Sequence, residues 1–295
     1  MEVLVIAPHA DDEVLGVGGT IARHTLVQNQ QVGVLVVTDG ASSQYGGSLA
    51  AIRRRRQEAE RAASVLGVKQ IRHLNFPDMR LDGVAHVELN QAIEGVVEEY
   101  RPTIVYTPYP DVNRDHALVF DSVMVATRPR PGQSVRAVYA YPISSSLEWT
   151  PHCSTAPFVA NRYVEIGETM IVKVMAMCCY ETELREYPHP RSMRSIICHA
   201  LVAGGEVGLR FAERLCTVRE VDRSGIPSGR RCNSVVVSDR QRPRGWRAED
   251  VGSVTRCLEQ GDLKEIGELL EAILARSLNS DFSRDDAGSG LEEVP

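Results

Sequence analysis

With 43% hydrophobic and 24% charged residues over 295 positions, the chain can bury one sizeable core and has the composition of an ordinary globular protein. A formal charge of -6 leaves no electrostatic footprint for nucleic acid, and no stretch approaches the apolar length of a membrane span. No charged-then-apolar leader precedes the first apolar run, so a cytoplasmic location is expected.

Taken in chain order, strand-like and helix-like runs alternate, which predicts an α/β protein: a Rossmann-like, mostly parallel sheet with helices on both faces. Val3 to Ala7 is a short apolar, β-branched run of the kind a buried parallel strand shows, and Leu15, Ile21, Ala22 and Leu26 then follow a helical spacing. Val32 to Val37 predicts the second strand, Ala50 to Leu66 a helix, Ile71 to Leu74 a third strand and Val87 to Tyr100 an amphipathic helix. Thr103 to Tyr106 and Val135 to Tyr141 read as further strands, with a helix over Ala117 to Thr127 between them. Thr169 to Leu184 and Ser192 to Thr217 read as helical, the second interrupted near Gly204-Gly205, and could wall or cover a crevice. Residues 1–221 thus form the expected main domain. Residues 222–247, rich in Arg, Ser, Gly and Pro, read as a linker or loop. Residues 248–278 predict a helical extension with Ile266, Leu269, Leu270, Ile273 and Leu274 on one face, and the acidic 279–295 a disordered tail. All seven cysteines fall after residue 150 without C-x-x-C spacing, which argues against a disulfide framework and a cysteine zinc site.

The most informative run is Ala7-Pro8-His9-Ala10-Asp11-Asp12-Glu13, at the carboxyl end of the first strand, where open α/β sheets place ligands. Adjacent carboxylates raise one another's pKa unless a cation holds them, so this cluster outlines a metal site. The alternative, that the acids only cap the next helix, leaves His9 unexplained. Gly16-Val17-Gly18-Gly19 is not a dinucleotide fingerprint, because Ile21 stands where its last glycine would be and the preceding carboxylates would repel a pyrophosphate. These glycines are expected to let helix and sheet pack closely.

A second polar cluster, Asp111-Val112-Asn113-Arg114-Asp115-His116, follows another strand and falls at the same sheet edge. His116 would complete a His, Asp, His set with His9 and Asp12, and three protein ligands leave the open position of a catalytic site. Read alone, Asp115-His116 could equally be a helix cap followed by a surface histidine.

The opening strand-P-H-A-D-D-E-x-x-G-x-G-G-T, then Val36-Val37-Thr38-Asp39-Gly40, Arg55 with Glu58-Ala59, Leu66-Gly67-Val68 and Asn113-Arg114-Asp115-His116 resemble the LmbE/PIG-L family of metal-dependent N-deacetylases. Thr127-Arg128-Pro129, the run Ser144 to Trp149 and Tyr187 to Ser192 resemble one bacterial branch of it. The resemblance implies a zinc hydrolase removing an acetyl group from an N-acetylated amino sugar or related small molecule. It implies His9, Asp12 and His116 as metal ligands, Asp11 as general base, Glu13 behind them and Asp115 orienting a neighbour. Zinc is the expected ion, with iron or another divalent ion a chemical alternative.

One departure stands out. Many family members carry a histidine three positions before the second metal histidine, where this chain has Asn113, which can donate to an oxyanion but cannot deliver a proton. His189, in a Pro-His-Pro-Arg setting, is the candidate substitute; the alternative is a loop histidine packed on Tyr187. The resemblance also implies Arg55 and Asp78 near the substrate sugar, although Arg55 could equally pair with Glu58 at i, i+3. Arg191 could bind a substrate hydroxyl or phosphate. Competing functions on the same fold are an amidase of a thiol-sugar or other natural-product conjugate and a non-catalytic small-molecule binder. The sequence leaves a homo-oligomer open.

Overall fold

The computed structural model describes residues 1–40, 48–151, 156–221, 241–242 and 245–285. Its centre is a sheet in which β1 (Val3–Ala7), β2 (Val32–Thr38), β3 (Gln70–Phe76), β4 (Ile104–Pro108) and β5 (Ala137–Tyr141) run parallel. The sheet continues into two antiparallel strands, β6 (Arg162–Glu165) and β7 (Ala212–Glu220), in the order β3-β2-β1-β4-β5-β7-β6.

Both faces of the inner strands are covered, which is why β1 and β2 are apolar without alternation and buried throughout. Val3 and Val5 join one core layer and Leu4 and Ile6 the other. The first layer packs under α1 (Asp12–Ala22), α2 (Leu49–Val65), α5 (Met170–Cys178) and α6 (Met193–Gly205). The second packs under α3 (His86–Tyr100), through Leu89, Ile93 and Val96, and α4 (Arg114–Ala126), through Val119 and Val123. The expected close packing at the glycines of α1 is present: a Cβ on Gly16 would lie 2.1 Å from the Tyr141 ring of β5.

The helical extension consists of α7 (Ala248–Gln260) and α8 (Leu263–Asp285), and Val254, Leu258, Ile266, Leu270 and Ile273 enter the first core layer. α8 runs past Asn279 to Asp285, beyond the point where the sequence suggested the tail begins. The expected linker lies mostly outside the described residues, as do Cys153 and Cys232; the described cysteines are all free.

Two expectations are corrected. The helix predicted from Thr169 ends at Cys178, and turns carry the chain to Leu184. The helix predicted over Ser192 to Thr217 stops at Gly205, and residues 212–220 form β7. Helix-forming Glu, Arg and Leu there are overridden by pairing with β5 and β6, a tertiary effect. The break is local: a side chain on Gly204 would meet the Leu209 carbonyl oxygen at 2.5 Å, so the chain can fold back only over a glycine. No described helix is long and apolar enough to cross a membrane.

Candidate metal centre and active site

From β1 the chain turns to β2 on one side and returns to β4 on the other, so the crevice between β1 and β4 is the switch point of the sheet. The loop after β1 carries His9 to Asp11 into it, with Asp12 opening α1, and the loop after β4 carries Asp111 to Asn113, with Asp115 and His116 in the first turn of α4. Pro8 is tied down by the Thr38 N–H and hydroxyl, which both donate to its carbonyl at 2.9 Å.

The two segments meet. His9, Asp12 and His116 are buried and each places a ligand atom within 4.8 Å of the others. His9 Nδ1 lies 3.0 Å and His116 Nε2 3.5 Å from Asp12 Oδ2. The His116 Nδ1–H donates to Asp111 Oδ2 at 2.7 Å, which fixes the tautomer and leaves the Nε2 lone pair facing the crevice. His116 Nε2, Asp12 Oδ1 and Asp11 Oδ1 are buried without a hydrogen-bond partner. Buried orphans of this kind are costly, and a divalent cation would accept the lone pairs of His116 and Asp12, so the donor set fits a metal.

His9 also belongs to a second acidic set with Asp78 and Asp115, both 3.2 Å from its Nε2. Asp115 there is already committed, since its carboxylate accepts the Met79 N–H at 2.8 Å and the Leu81 N–H at 3.2 Å. It orients His9 and anchors the loop after β3. Burial pushes the His9 imidazole down, but its bonds to Asp115, Asp12 and Asp78 outweigh this and hold its pKa well above the ordinary 6.5. Burial likewise pushes Asp12 up, and His116 and His9 outweigh it, keeping that carboxyl ionised.

Asp11 is the odd member of the run. It occupies the N-cap position of α1 with φ 117°, a region strained for a non-glycine residue, and its side chain makes no capping bond. The capping alternative therefore fails for it. Its carboxylate instead accepts from Arg191 Nη1 at 3.1 Å and lies 3.8 Å from Arg55 Nη2. Burial raises its pKa to about 8 against the opposing pull of Arg191 and Arg55. Glu13 sits behind, accepting from the Asp11 N–H at 3.1 Å and from the Tyr180 hydroxyl, with burial raising it to about 7.

The other predicted residues separate into two groups. Arg55, Asp78, Asn113 and Arg191 line one cleft with His9 and Asp11, together with Gly40, Met79 and Glu183. Arg55 does pair with Glu58, at 3.6 Å, and it also reaches Glu183 at 3.2 Å and the Ala10 carbonyl at 2.5 Å while lining the cleft. Asn113, not Asp115, caps α4: its Oδ1 accepts the Asp115 N–H at 3.0 Å, and His116 is fully buried rather than on the surface. His189 is not among the residues lining that cleft. Its Nδ1 accepts the Arg191 N–H at 3.0 Å and its ring meets Trp149, not Tyr187, edge-on at 5.7 Å.

Sequence reasoning placed Asp111 in the second polar cluster and Ser145 in the Ser144 to Trp149 run without giving either a role, and it missed Glu183. Asp111 was visible as an acid five residues before His116. Glu183, which accepts from Arg191 Nη1 at 2.8 Å, and Ser145, which accepts from Arg191 Nε at 2.7 Å, arrive from distant segments with no local signal.

The PIG-L family profile, described as GlcNAc-PI de-N-acetylase, matches residues 4–127. The chain is 29% identical over 231 residues to diacetylchitobiose deacetylase of Thermococcus kodakarensis, covering 72% of this chain and 81% of that protein. It is 35% identical over 139 residues to the uncharacterized deacetylase YaiS of Escherichia coli K12, covering 44% of this chain and 69% of that one. Among solved structures, N,N'-diacetylchitobiose deacetylase of Pyrococcus horikoshii shares the fold with a TM-score of 0.58 at 23% identity, over 74% of this chain and 84% of that one.

Proposed function

Because the chain belongs to the PIG-L, LmbE-like deacetylase family, we propose that it removes the N-acetyl group of an N-acetylglucosaminyl or related amino-sugar small molecule, with zinc held by His9, Asp12 and His116. The observation that carries this reading is the meeting of those three buried side chains, two with orphaned ligand atoms, beside Asp11 Oδ1, which accepts no hydrogen bond and has Arg55 at 3.8 Å. When bound there, zinc would polarise the amide carbonyl and make a water acidic enough to attack near neutral pH.

The side chains divide the remaining work. Arg191 holds Asp11 Oδ2, which leaves Oδ1 to take the proton of the attacking water and later pass it to the departing amine. Burial raises the Asp11 carboxyl and the two guanidiniums oppose it, leaving it at about 8; the charge of a cation held beside it would draw it further down, toward the ionised form a base needs. Asn113 has its Oδ1 committed to the helix cap, so its amide NH2 is the donor offered to the developing oxyanion. Asparagine at this position keeps a hydrogen-bond donor in the cleft and gives up only proton delivery. Asp78, on the same wall, is suited to accept from a sugar hydroxyl. The amino-sugar class follows from this polar lining and from the relative that acts on diacetylchitobiose by name.

Acetate release from a panel of N-acetylglucosaminides by zinc-loaded protein tests the reading. Turnover that falls about 10²- to 10⁴-fold in Asp11→Asn with one zinc retained is the expected result. No acetate from any member of the panel, or a fully active Asp11→Asn, would contradict it.

A further inference from the structure

The cleft at His9 and Asp11 is about 50 Å³, room for a few water-sized groups, which suits an acetamido group with its nearest ring atoms. The rest of a glycoside then lies beyond this cleft, and three exposed apolar side chains sit in or next to the segments that line it or are tied to it. Met79, which lines the cleft, is 50% exposed, Val112 next to Asn113 is 52% exposed, and Trp149 is 58% exposed.

Trp149 is exposed yet held. The next residue, Thr150, accepts the Val112 N–H on its Oγ1 at 2.9 Å, tying this loop to the one that carries Asn113. From the other side His189 meets the indole at 5.7 Å with an interplanar angle of 89°, and His189 in turn accepts the N–H of Arg191, a cleft residue, at 3.0 Å. The Ser145 N–H donates to Glu148 at 2.7 Å and Ser145 Oγ accepts from Arg191 at 2.7 Å, closing the same loop onto the site. A large aromatic left in water but fixed by an edge-on neighbour keeps its face available, and such a face binds another ring by offset or C–H contact.

We propose that Trp149, set by His189, is the wall of a second subsite, which receives the ring glycosidically linked to the acetylated sugar. The proposal rests on the deacetylase reading above and adds to it a preference for glycosides over the free monosaccharide. His189 is then a positioning residue for the indole.

The chain has two tryptophans, and Trp246 is only 7% exposed, so acrylamide quenching of the fluorescence reports chiefly on Trp149. In zinc-loaded Asp11→Asn protein, N,N'-diacetylchitobiose is expected to shield the exposed indole and N-acetylglucosamine to leave it open. In protein with Asp11 intact, Trp149→Ala is expected to lower the ratio of kcat/KM for the disaccharide over the monosaccharide by roughly fivefold, with Trp149→Phe recovering most of it. Equal shielding by both sugars, shielding by neither, or an unchanged ratio overturns the subsite. So does shielding that rises with protein concentration without sugar, which would turn this face toward a second copy of the chain. Acetate release without shielding fails the subsite alone, whereas shielding without acetate release fails the deacetylase reading and leaves a sugar-binding face.

Discussion

Asp111 offers no ligand atom to the proposed ion, yet its Oδ2 receives the His116 Nδ1–H at 2.7 Å and its Oδ1 the Asn113 N–H at 2.8 Å. Replacing it by alanine removes both acceptors in one step. The imidazole, fully buried, is left with an unsatisfied N–H, which costs about 1–3 kcal/mol of ion-free stability. For a chain of this size that is a fall of about 2–4 °C in Tm per kcal/mol. The lone pair on Nε2 also loses its fixed aim and the basicity that a carboxylate partner lends it, and removing such a partner typically weakens metal binding by about 10- to 100-fold, or roughly 1.4–2.7 kcal/mol. Asp111→Asn separates the contributions, because the amide oxygen can still accept from Nδ1–H while the charge is gone; its affinity should fall between the wild type and Asp111→Ala. Competition against a chromophoric chelator at fixed pH gives the affinities, and melts of the chelator-treated protein give the stabilities. An Asp111→Ala protein that binds zinc as tightly as the wild type would refute the assigned role of His116 Nε2.

His9 keeps its proton well above 6.5, so an ion must displace it. Zinc affinity should therefore rise with pH by about tenfold per unit for a one-proton exchange, measured by titration between about pH 6 and 8, and a flat profile would count against His9 as ligand. In the ion-free protein the sign is opposite: the stability His9 contributes is complete below its unfolded value and is lost as pH rises through the higher folded one. Glu213 accepts from the N–H groups of Gly19 at 2.9 Å and Thr20 at 2.7 Å and from Lys173 at 2.5 Å, all buried. Glu213→Ala should cost about 3–5 kcal/mol in denaturant unfolding, with much of the loss recovered when Lys173→Met removes the stranded charge; a cost under about 1 kcal/mol would contradict the arrangement. Gly16→Ala drives a methyl into the Tyr141 ring, whose hydroxyl is pinned by donating to the Ile6 carbonyl at 2.7 Å. A loss of about 1–3 kcal/mol is expected, and an unchanged melting curve would mean the ring moves freely.

What the sequence disclosed and what it hid follow from how local each signal is. His9, Asp11 and Asp12 were legible because a strand end, a histidine and two acids fall within ten residues, and adjacent acids beside an imidazole are costly to bury without a cation. His116 needed the second strand end to be read as lying on the same sheet edge, which parallel topology guarantees for β1 and β4. β7 was illegible because its pairing is decided by β5, more than 70 residues earlier, and its Ala, Glu, Arg and Leu residues favour a helix. Glu183 and Ser145 gave no local sign, since their roles exist only once Arg191 has been folded against Asp11. His189, read as a candidate acid or as a packed loop histidine, has its Nδ1 engaged by the Arg191 N–H and its ring against Trp149, outside the residues that line the cleft.

The central claim is that side chains from the segments that follow β1 and β4 close on a single ion. X-ray absorption at the zinc edge of stoichiometrically loaded protein tests it most directly. The account predicts one ion with two imidazole nitrogens at about 2.0–2.1 Å, and one imidazole fewer in His116→Ala. A spectrum that is unchanged by His116→Ala, or that shows fewer than two imidazoles in the wild type, would contradict it.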